Sequence, residues 1–255
     1  MTYNQREFDI KLEWGVRGVE ELLSESDVIV IVDVLSFSTC VDIATNNGAI
    51  IFPYRWKDES AINYARSLKA ELADFTRKYT DGYSLSPTSM TNIKAQTRLV
   101  LPSPNGSSLT QATKTIPTLC GSLRNAKAVG EFAVRLGKRV SVIPAGEQWT
   151  NDTLRPAFED LLGAGAIISY LKGKLSPESK AAFSVFQNSK TTISEEVRNC
   201  SSGKELVERG FEKDLYLACD LNASDNVPLL TQGSYVGQKS TATNKSIAPS
   251  GKNRT

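Results

Sequence analysis

The sequence predicts an α/β protein built on a mostly parallel sheet. Residues 28–32 read VIVIV, a β-branched run without polar alternation, which is typical of a strand buried on both faces of a parallel sheet. Shorter apolar runs at 98–101, 117–120 and 139–143 each lead into small or polar residues, and the first two are followed by helical patterns. Strands that alternate with helices in this way favour helices packed on the sheet, and a parallel sheet would gather the four loops after these strands along one edge.

The chain length and composition predict one large domain with a polar tail. The 255 residues are 40% hydrophobic, enough for a substantial core, and no internal repeat or linker divides them. We therefore expect a single domain over 1–236. Residues 237–255 contain four basic residues, no acid and no apolar periodicity, so we expect a disordered tail.

Charge, cysteines and targeting signals restrict the partners. Lys and Arg total 30 against 28 Asp and Glu, a balance that does not predict a nucleic-acid partner. The cysteines Cys40, Cys120, Cys200 and Cys219 are scattered, without a C-x-x-C pair, so we expect reduced core thiols. With no signal peptide and no membrane-length apolar segment, we expect a cytoplasmic protein with no membrane partner.

The chain contains no histidine. This excludes Ser-His-Asp and Cys-His catalysis, histidine-ligated metals and phosphatases that use a phosphohistidine. Proton transfer is left to carboxylates, Lys, Tyr, Cys or metal-activated water. A divalent metal would have oxygen ligands, which favours Mg²⁺ or Mn²⁺ over Zn²⁺.

Asp33 directly follows the strand at 28–32 and precedes the hydroxyl-rich turn with Ser36, Ser38 and Thr39. Ligands of open α/β sheets bind at the carboxyl ends of strands, and a helix beginning in this turn would direct free N–H groups toward an anion. An aspartate at such a position is also a common helix cap, and the sequence alone leaves both roles open.

The loop at 103–108 has features of a phosphate-binding loop. Asn105-Gly106 permits positive φ, successive N–H groups can form an anion-binding nest, and Ser103 and Ser107 add hydroxyl donors. An ordinary turn after Pro104 is the alternative.

Established phosphate motifs are missing. No G-x-x-x-x-G-K-[ST] occurs, no Cys has an Arg six residues downstream, and Leu35 stands where an Asp-x-Asp phosphatase needs its second carboxylate. These absences leave a carboxylate and metal site formed by Asp33 with Glu147, Glu159 or Asp160. Glu159 and Asp160 lie early in a helix predicted over 154–171, where acids also offset the helix dipole.

Six motifs in order resemble the 2-phosphosulfolactate phosphatases, the ComB-like proteins. They are VIVIVDVLSFST, NNGA, SPNGS, GSLRNAKAV, PAGE and RPAFEDLLGAGAI, and the resemblance covers roughly Val28 to Leu230. The resemblance implies a three-layer α/β/α fold. It also implies Mg²⁺-dependent hydrolysis of 2-phospho-3-sulfolactate to 3-sulfolactate, a step toward coenzyme M.

The resemblance also assigns individual positions. Asp33 matches the strand-end aspartate of the family, Asn105-Gly106 its phosphate loop, Asn125 its Gly-x-x-x-Asn element and Glu159-Asp160 its acidic pair.

Three departures from the family pattern concern substrate recognition. Ser36 stands where the family has Arg, and Ser103-Pro104 replaces a Thr-Thr pair. The family also has a Glu-Arg pair after the long helix that this sequence predicts from Asp58, and this pair is absent from AELADFTRK. Loss of two arginines implies weaker recognition of the sulfonate and carboxylate.

The predicted function is a Mg²⁺-dependent phosphatase for a small phosphorylated acid, with homodimer formation left open. The predicted catalytic residues are Asp33, Glu159 and Asp160, and the predicted metal ligands are Asp33, Asp160 and Glu147. The predicted substrate-binding residues are Ser38, Thr39, Ser103, Asn105, Gly106, Ser107, Arg124, Asn125 and Arg155. The alternatives are a phosphometabolite-binding protein without turnover and a carboxylate-metal lyase or isomerase on the same scaffold.

Overall fold

The computed structural model describes residues 5–239. The strands are β1 (Ile10–Leu12), β2 (Val28–Val32), β3 (Ile50–Tyr54), β4 (Glu71–Leu72), β5 (Arg98–Pro102), β6 (Thr118–Gly121), β7 (Val140–Pro144), β8 (Glu147–Gln148), β9 (Leu154–Arg155), β10 (Asn226–Thr231) and β11 (Ser234–Lys239). The helices are α1 (Gly15–Leu22), α2 (Phe37–Asn46), α3 (Glu59–Leu68), α4 (Pro87–Met90), α5 (Gly106–Ala112), α6 (Ala126–Leu136), α7 (Phe158–Ile168), α8 (Pro177–Ser189), α9 (Ile193–Asn199), α10 (Ser201–Glu208) and α11 (Glu212–Cys219).

The β2 strand is buried on both faces, as predicted. Val28, Val30 and Val32 pack into the core cluster formed with α6, α7 and α8. Ile29 and Ile31 point the other way, into a cluster with α1 and α5. Because successive side chains of a strand alternate between faces, one strand joins both layers of helices to the sheet. The three-layer α/β/α fold is confirmed.

A nine-stranded sheet has the order β1-β7-β2-β6-β10-β11-β3-β5-β4. The first four strands are parallel to one another, and so are the last three. The hairpin formed by β10 and β11 lies between these two groups and pairs antiparallel with β6 on one side and β3 on the other. The sheet is therefore mostly parallel, but its two groups are not one continuous parallel sheet as the loop pattern suggested.

Several predicted boundaries were wrong because tertiary pairing overrides local pattern. Residues 154–155 form β9, which pairs with β8, so α7 begins at Phe158 rather than at 154. The segment 80–96 is rich in Gly, Ser, Thr and Pro, which is typical of a loop, yet it contains α4. The β11 strand was missed altogether.

The predicted domain boundary at 236 falls inside β11. Gly237, Gln238 and Lys239 pair with Pro228, Val227 and Asn226 of β10. The rest of the predicted tail, 240–255, lies outside the described residues.

Two smaller expectations concern thiols and membranes. The four cysteines are free, and Cys40, Cys120 and Cys219 are buried while Cys200 is half-buried, so three of the four are core thiols. Within residues 5–239, no helix combines the length and the apolar character needed to cross a membrane.

We expect a chain that ends at Val236 to be less stable than one that ends at Lys239. The shorter chain loses the β10 pairing partners 237–239, and at about 0.5–1.5 kcal/mol per hydrogen bond the free energy of unfolding should fall by roughly 1–3 kcal/mol. Urea unfolding of both chains and of the full-length protein measures the difference. Equal stability of all three would show that the end of β11 contributes nothing.

Candidate active site

Asp33 follows β2 and is held by backbone donors from two helix starts. Its side chain is buried, with Oδ1 accepting a hydrogen bond from Phe37 N at 3.1 Å and Oδ2 accepting one from Gly106 N at 3.0 Å. The backbone N–H of Asp33 donates to Ser38 Oγ at 2.7 Å. Asp33 thus joins the turn after β2 to the beginning of α5.

Position 106 requires glycine because neighbouring side chains lie too close for a Cβ, and not because its φ is positive. Its φ is not positive, unlike that of Gly146. A Cβ at Gly106 would lie 2.2 Å from Phe37 Cδ1 and 2.9 Å from Asp33 Oδ2. The N–H of Gly106 donates to Asp33 Oδ2, so it is not a free donor of the anion-binding nest that the loop pattern permits.

Asp160 is a second buried carboxylate bound by backbone donors. Its Oδ1 accepts from Val34 N at 2.7 Å, and its Oδ2 accepts from Gly146 N at 2.9 Å. Asp160 therefore ties the segments that follow β2 and β7 to the first turn of α7. Burial, with the nearby charges of Glu159 and Asp33, raises its pKa well above the ordinary value.

Glu147 and Glu159 complete an acidic group. Asn105 Nδ2 donates to Glu147 Oε2 at 3.0 Å, and Cys200 Sγ donates to Glu159 Oε2 at 3.3 Å. Burial, followed by repulsion from Asp33, raises the pKa of Glu147 to about 7. Burial raises the pKa of Asp33 to about 6, against the backbone hydrogen bonds that lower it.

A cavity of about 460 Å³ opens at Asp33 and Glu147, and neither Glu159 nor Asp160 lines it. Four of the predicted site residues line this cavity, namely Asp33, Ser103, Asn105 and Glu147. Further polar lining residues are Ser36, Lys57, Thr76, Arg77, Gln148, Ser202, Glu205 and Arg209. An adjoining cleft of about 590 Å³ shares Pro104, Asn105, Glu147 and Gln148 and is also lined by Trp14, Trp56 and Leu154.

A sequence profile of the 2-phosphosulpholactate phosphatase family matches residues 17–233, which include the strands β2 to β10 and the four carboxylates described above. The chain belongs to this family. A probable 2-phosphosulfolactate phosphatase of Carboxydothermus hydrogenoformans is 30% identical over 217 residues, 80% of this chain and 87% of the relative. The 2-phosphosulfolactate phosphatase of Methanothermobacter thermautotrophicus is 27% identical over 209 residues, 82% of this chain and 88% of the relative. The 2-phosphosulfolactate phosphatase of Methanocaldococcus jannaschii is 26% identical over 205 residues, 79% of this chain and 88% of the relative.

Arg77 supplies a guanidinium that sequence reasoning missed in this family member. Its Nη1 lies 2.7 Å from Asp214 Oδ2, and its Nη2 donates to Ser36 Oγ at 3.1 Å. The expectation that the site lacks an arginine near Ser36 was therefore wrong. Arg77 was visible in AELADFTRK, but only the fold brings the segment after β4 to the turn after β2.

Asp214 on α11 fixes the position of Arg77. The aspartate is fully buried and also accepts hydrogen bonds from Ser86 Oγ at 2.7 Å and Thr88 N at 2.9 Å. Its charge is thus satisfied by one guanidinium and two neutral donors. An ion pair with this degree of burial holds the arginine in one orientation at the cavity.

Several predicted substrate-binding residues have structural partners and do not line the cavity. Arg124 lies 3.4 Å from both Asp42 Oδ2 and Asp220 Oδ2, and its Nη1 donates to Leu217 O at 2.9 Å. These contacts hold α2 and α11 together, which favours a structural role for Arg124.

The side chain of Asn125 closes the turn after β6. It accepts from Ser122 N at 2.8 Å and donates to Asn226 O at 3.3 Å. The β6 loop is thereby fastened to β10, and of the four loops expected to converge, it is the one that does not line the cavity.

The remaining predicted hydroxyls and Arg155 lie around the cavity and not in its lining. Thr39 Oγ1 donates to Val34 O at 2.7 Å, and Ser107 Oγ donates to Leu101 O at 3.5 Å. Arg155 donates to Ser202 Oγ at 3.2 Å and lines a separate groove beside Trp149.

Within residues 5–239, no group of three or more Asp, Glu or Cys side chains converges in the way that a preformed metal site requires. The Oδ atoms of Asp33 and Asp160 each accept a backbone N–H, which leaves further lone pairs on each carboxylate. Only Asp33 and Glu147 of the predicted ligands also line the cavity.

We expect the metal-free protein to lose stability as pH rises from about 4.5 to 7, in part through Glu147. Because the folded pKa of about 7 exceeds the ordinary 4.5, the fold binds the proton more tightly than the unfolded chain does. The destabilisation is absent below the unfolded pKa and complete above pH 7.

Glu147→Gln should remove this part of the pH dependence. We expect the variant to gain about 1–3 kcal/mol over the wild type at pH 8 and almost nothing at pH 4.5, since one pKa unit corresponds to about 1.4 kcal/mol. Urea unfolding in chelator at both pH values measures the gain, with Glu208→Gln on the exposed face of α10 as the matched control. An equal gain at both pH values would contradict the prediction.

Proposed function

We propose that this protein is a Mg²⁺-dependent phosphatase that hydrolyses 2-phospho-3-sulfolactate to 3-sulfolactate and phosphate. The observation that carries the proposal is the cavity in which the fixed carboxylate of Asp33 and the fixed guanidinium of Arg77 occur together. A carboxylate can act on the reacting group, and a guanidinium can bind two phosphoryl oxygens at once. The names of the relatives support the substrate.

The donor set fits Mg²⁺ even though no three-carboxylate site is preformed. Mg²⁺ usually binds proteins through one or two carboxylates and takes its other ligands from substrate phosphate and water. Glu147 would hold it, which leaves Asp33 available as a base, and Asp160 would keep the β2 and β7 loops at the correct separation. When bound, the cation would neutralise negative charge on the transferring phosphoryl group.

Other steps of the reaction, proton transfer and binding of the phosphoryl group, are assigned to individual side chains of the cavity. Asp33, with a pKa of about 6, is ionised at neutral pH and can accept a proton from the attacking water. Asn105 holds Glu147 through its amide N–H, and Arg77 with Ser103 binds the phosphoryl oxygens. The two N–H donors on Asp33 keep its carboxylate in one orientation, so little reorganisation is needed during the reaction.

Three further expectations belong to this proposal. The cytoplasmic location and the step toward coenzyme M follow from the composition and from the family resemblance. A homodimer remains a prediction that the sedimentation behaviour of the purified protein would test.

Asp33→Asn should lower kcat by about 100-fold or more, because an amide cannot accept the proton. The measurement is phosphate release from 2-phosphosulfolactate, with circular dichroism to verify folding. Asp152→Asn is the matched control, since Asp152 is an exposed carboxylate of the adjoining cleft whose φ of 61° Asn tolerates. If Asp33→Asn retained most of the activity, Asp33 would have only the structural role of a helix cap.

Chelator should abolish phosphate release, and Mg²⁺ should restore it. Mg²⁺ should also raise the Tm of the wild type. It should raise the Tm of Glu147→Gln less, because a neutral amide replaces one carboxylate ligand in the variant. Full activity of metal-stripped protein in excess chelator would contradict metal dependence. Tight binding of the phosphoester without turnover would favour the binding-protein alternative, and its conversion without phosphate release would favour the lyase.

A further inference from the structure

Three cationic side chains from three separate elements meet at one side of the catalytic cavity. Lys57 lies between β3 and α3, Arg77 lies after β4, and Arg209 follows α10. All three line the 460 Å³ cavity that contains Asp33. Their closeness is a property of the fold, since they are far apart in the sequence.

The ring of Phe211 keeps the two arginines together. The Arg77 Cζ atom lies 5.6 Å from the ring centroid, and the Arg209 Cζ atom lies 5.9 Å from it. Tyr79 packs edge-on against the same ring, with centroids 5.2 Å apart. Two guanidinium groups that share one aromatic ring repel each other unless an anion lies between or beside them.

The positive charge at this end of the cavity is only partly neutralised. Arg77 pairs with Asp214, and Arg209 pairs with Glu205 in a solvent-exposed i,i+4 bridge. The Lys57 ammonium has no ion-pair or hydrogen-bond partner among residues 5–239, and Glu147, which also lines the cavity, is the acid whose charge acts on it. Desolvation at the cavity rim, with the charges of Arg77 and Arg209, lowers the pKa of Lys57, as expected for a cation held close to like charges.

We propose that Lys57 and Arg209 form, beside Arg77, a second anion subsite, which binds a sulfonate or carboxylate group of the substrate while the phosphoryl group lies at Asp33 and Arg77. This inference rests on the proposed function and extends it to substrate class. The substrate is a phosphoester with at least one further acid group within reach of these two cations. Lys57 and Arg209 are therefore specificity-determining residues, and they supply the charge that the departure at Ser36 removes.

A ligand without phosphate separates this inference from the proposed function. 3-Sulfolactate carries a sulfonate and a carboxylate, lactate carries the carboxylate alone, and inorganic phosphate carries neither. Isothermal titration calorimetry with these three probes measures the subsite directly, without turnover. We expect the wild type to bind 3-sulfolactate more tightly than lactate, and we expect added salt to weaken the binding.

Lys57→Gln and Arg209→Gln should each weaken 3-sulfolactate binding by about 5- to 10-fold, the lower range for charge-assisted contacts at a partly solvated rim. Binding of inorganic phosphate should change less than about 2-fold. Lys204→Gln is the matched control, because Lys204 is an exposed cation of α10 outside the cavity lining. In turnover of 2-phosphosulfolactate, the effect should fall on KM.

Each outcome has one meaning. Absence of 3-sulfolactate binding by the wild type, or an equal affinity in both variants and in the control, would overturn the inference. Lys57-dependent binding of 3-sulfolactate by a wild type that releases no phosphate would support the subsite and contradict the phosphatase. Normal turnover of 2-phosphosulfolactate with an unchanged KM in both variants would support the phosphatase and overturn the subsite.

Discussion

The site depends on two buried carboxylates whose oxygens are satisfied by backbone N–H groups. Asp33 binds Phe37 N and Gly106 N, and Asp160 binds Val34 N and Gly146 N. A buried carboxylate without such donors would cost several kcal/mol. The same four contacts fix the relative positions of the loops that follow β2, β5 and β7, so the charges and the shape of the cavity have one structural origin.

The electrostatics of the cavity are unfavourable in the absence of ligands. Burial and mutual repulsion raise the pKa of Asp33, Glu147 and Asp160, while cations collect at the other end of the same cavity. Arg77 attracts Asp33 and Glu147 attracts Lys57, but desolvation by burial is the larger effect on the pKa of Asp33 and of Lys57. A ligand that brings a divalent cation to the carboxylates and anionic groups to the cations would lower the electrostatic free energy of both clusters. This gain in free energy contributes to binding.

The sequence predicted what depends on neighbouring residues. The burial of β2, the placement of Asp33 at its end and the involvement of Asn105-Gly106 follow from short patterns. The reason for Gly106 was not predictable, because it is the ring of Phe37 from another helix that excludes a Cβ. Arg77 was missed and Arg124 was assigned to the substrate for the same reason, since the partners of an arginine are set by long-range packing and not by its local sequence.

The position of the β10–β11 hairpin imposes an order on assembly. This hairpin is the last part of the sheet along the chain, yet it forms the seam between the two parallel groups. Asp33 belongs to one group and Gly106 follows a strand of the other, so the contact between them bridges the seam. During synthesis, the two groups emerge from the ribosome before the strands that join them. The sheet is therefore complete only when translation has delivered the carboxyl-terminal strands, and until then β6 and β3 each have an unpaired edge.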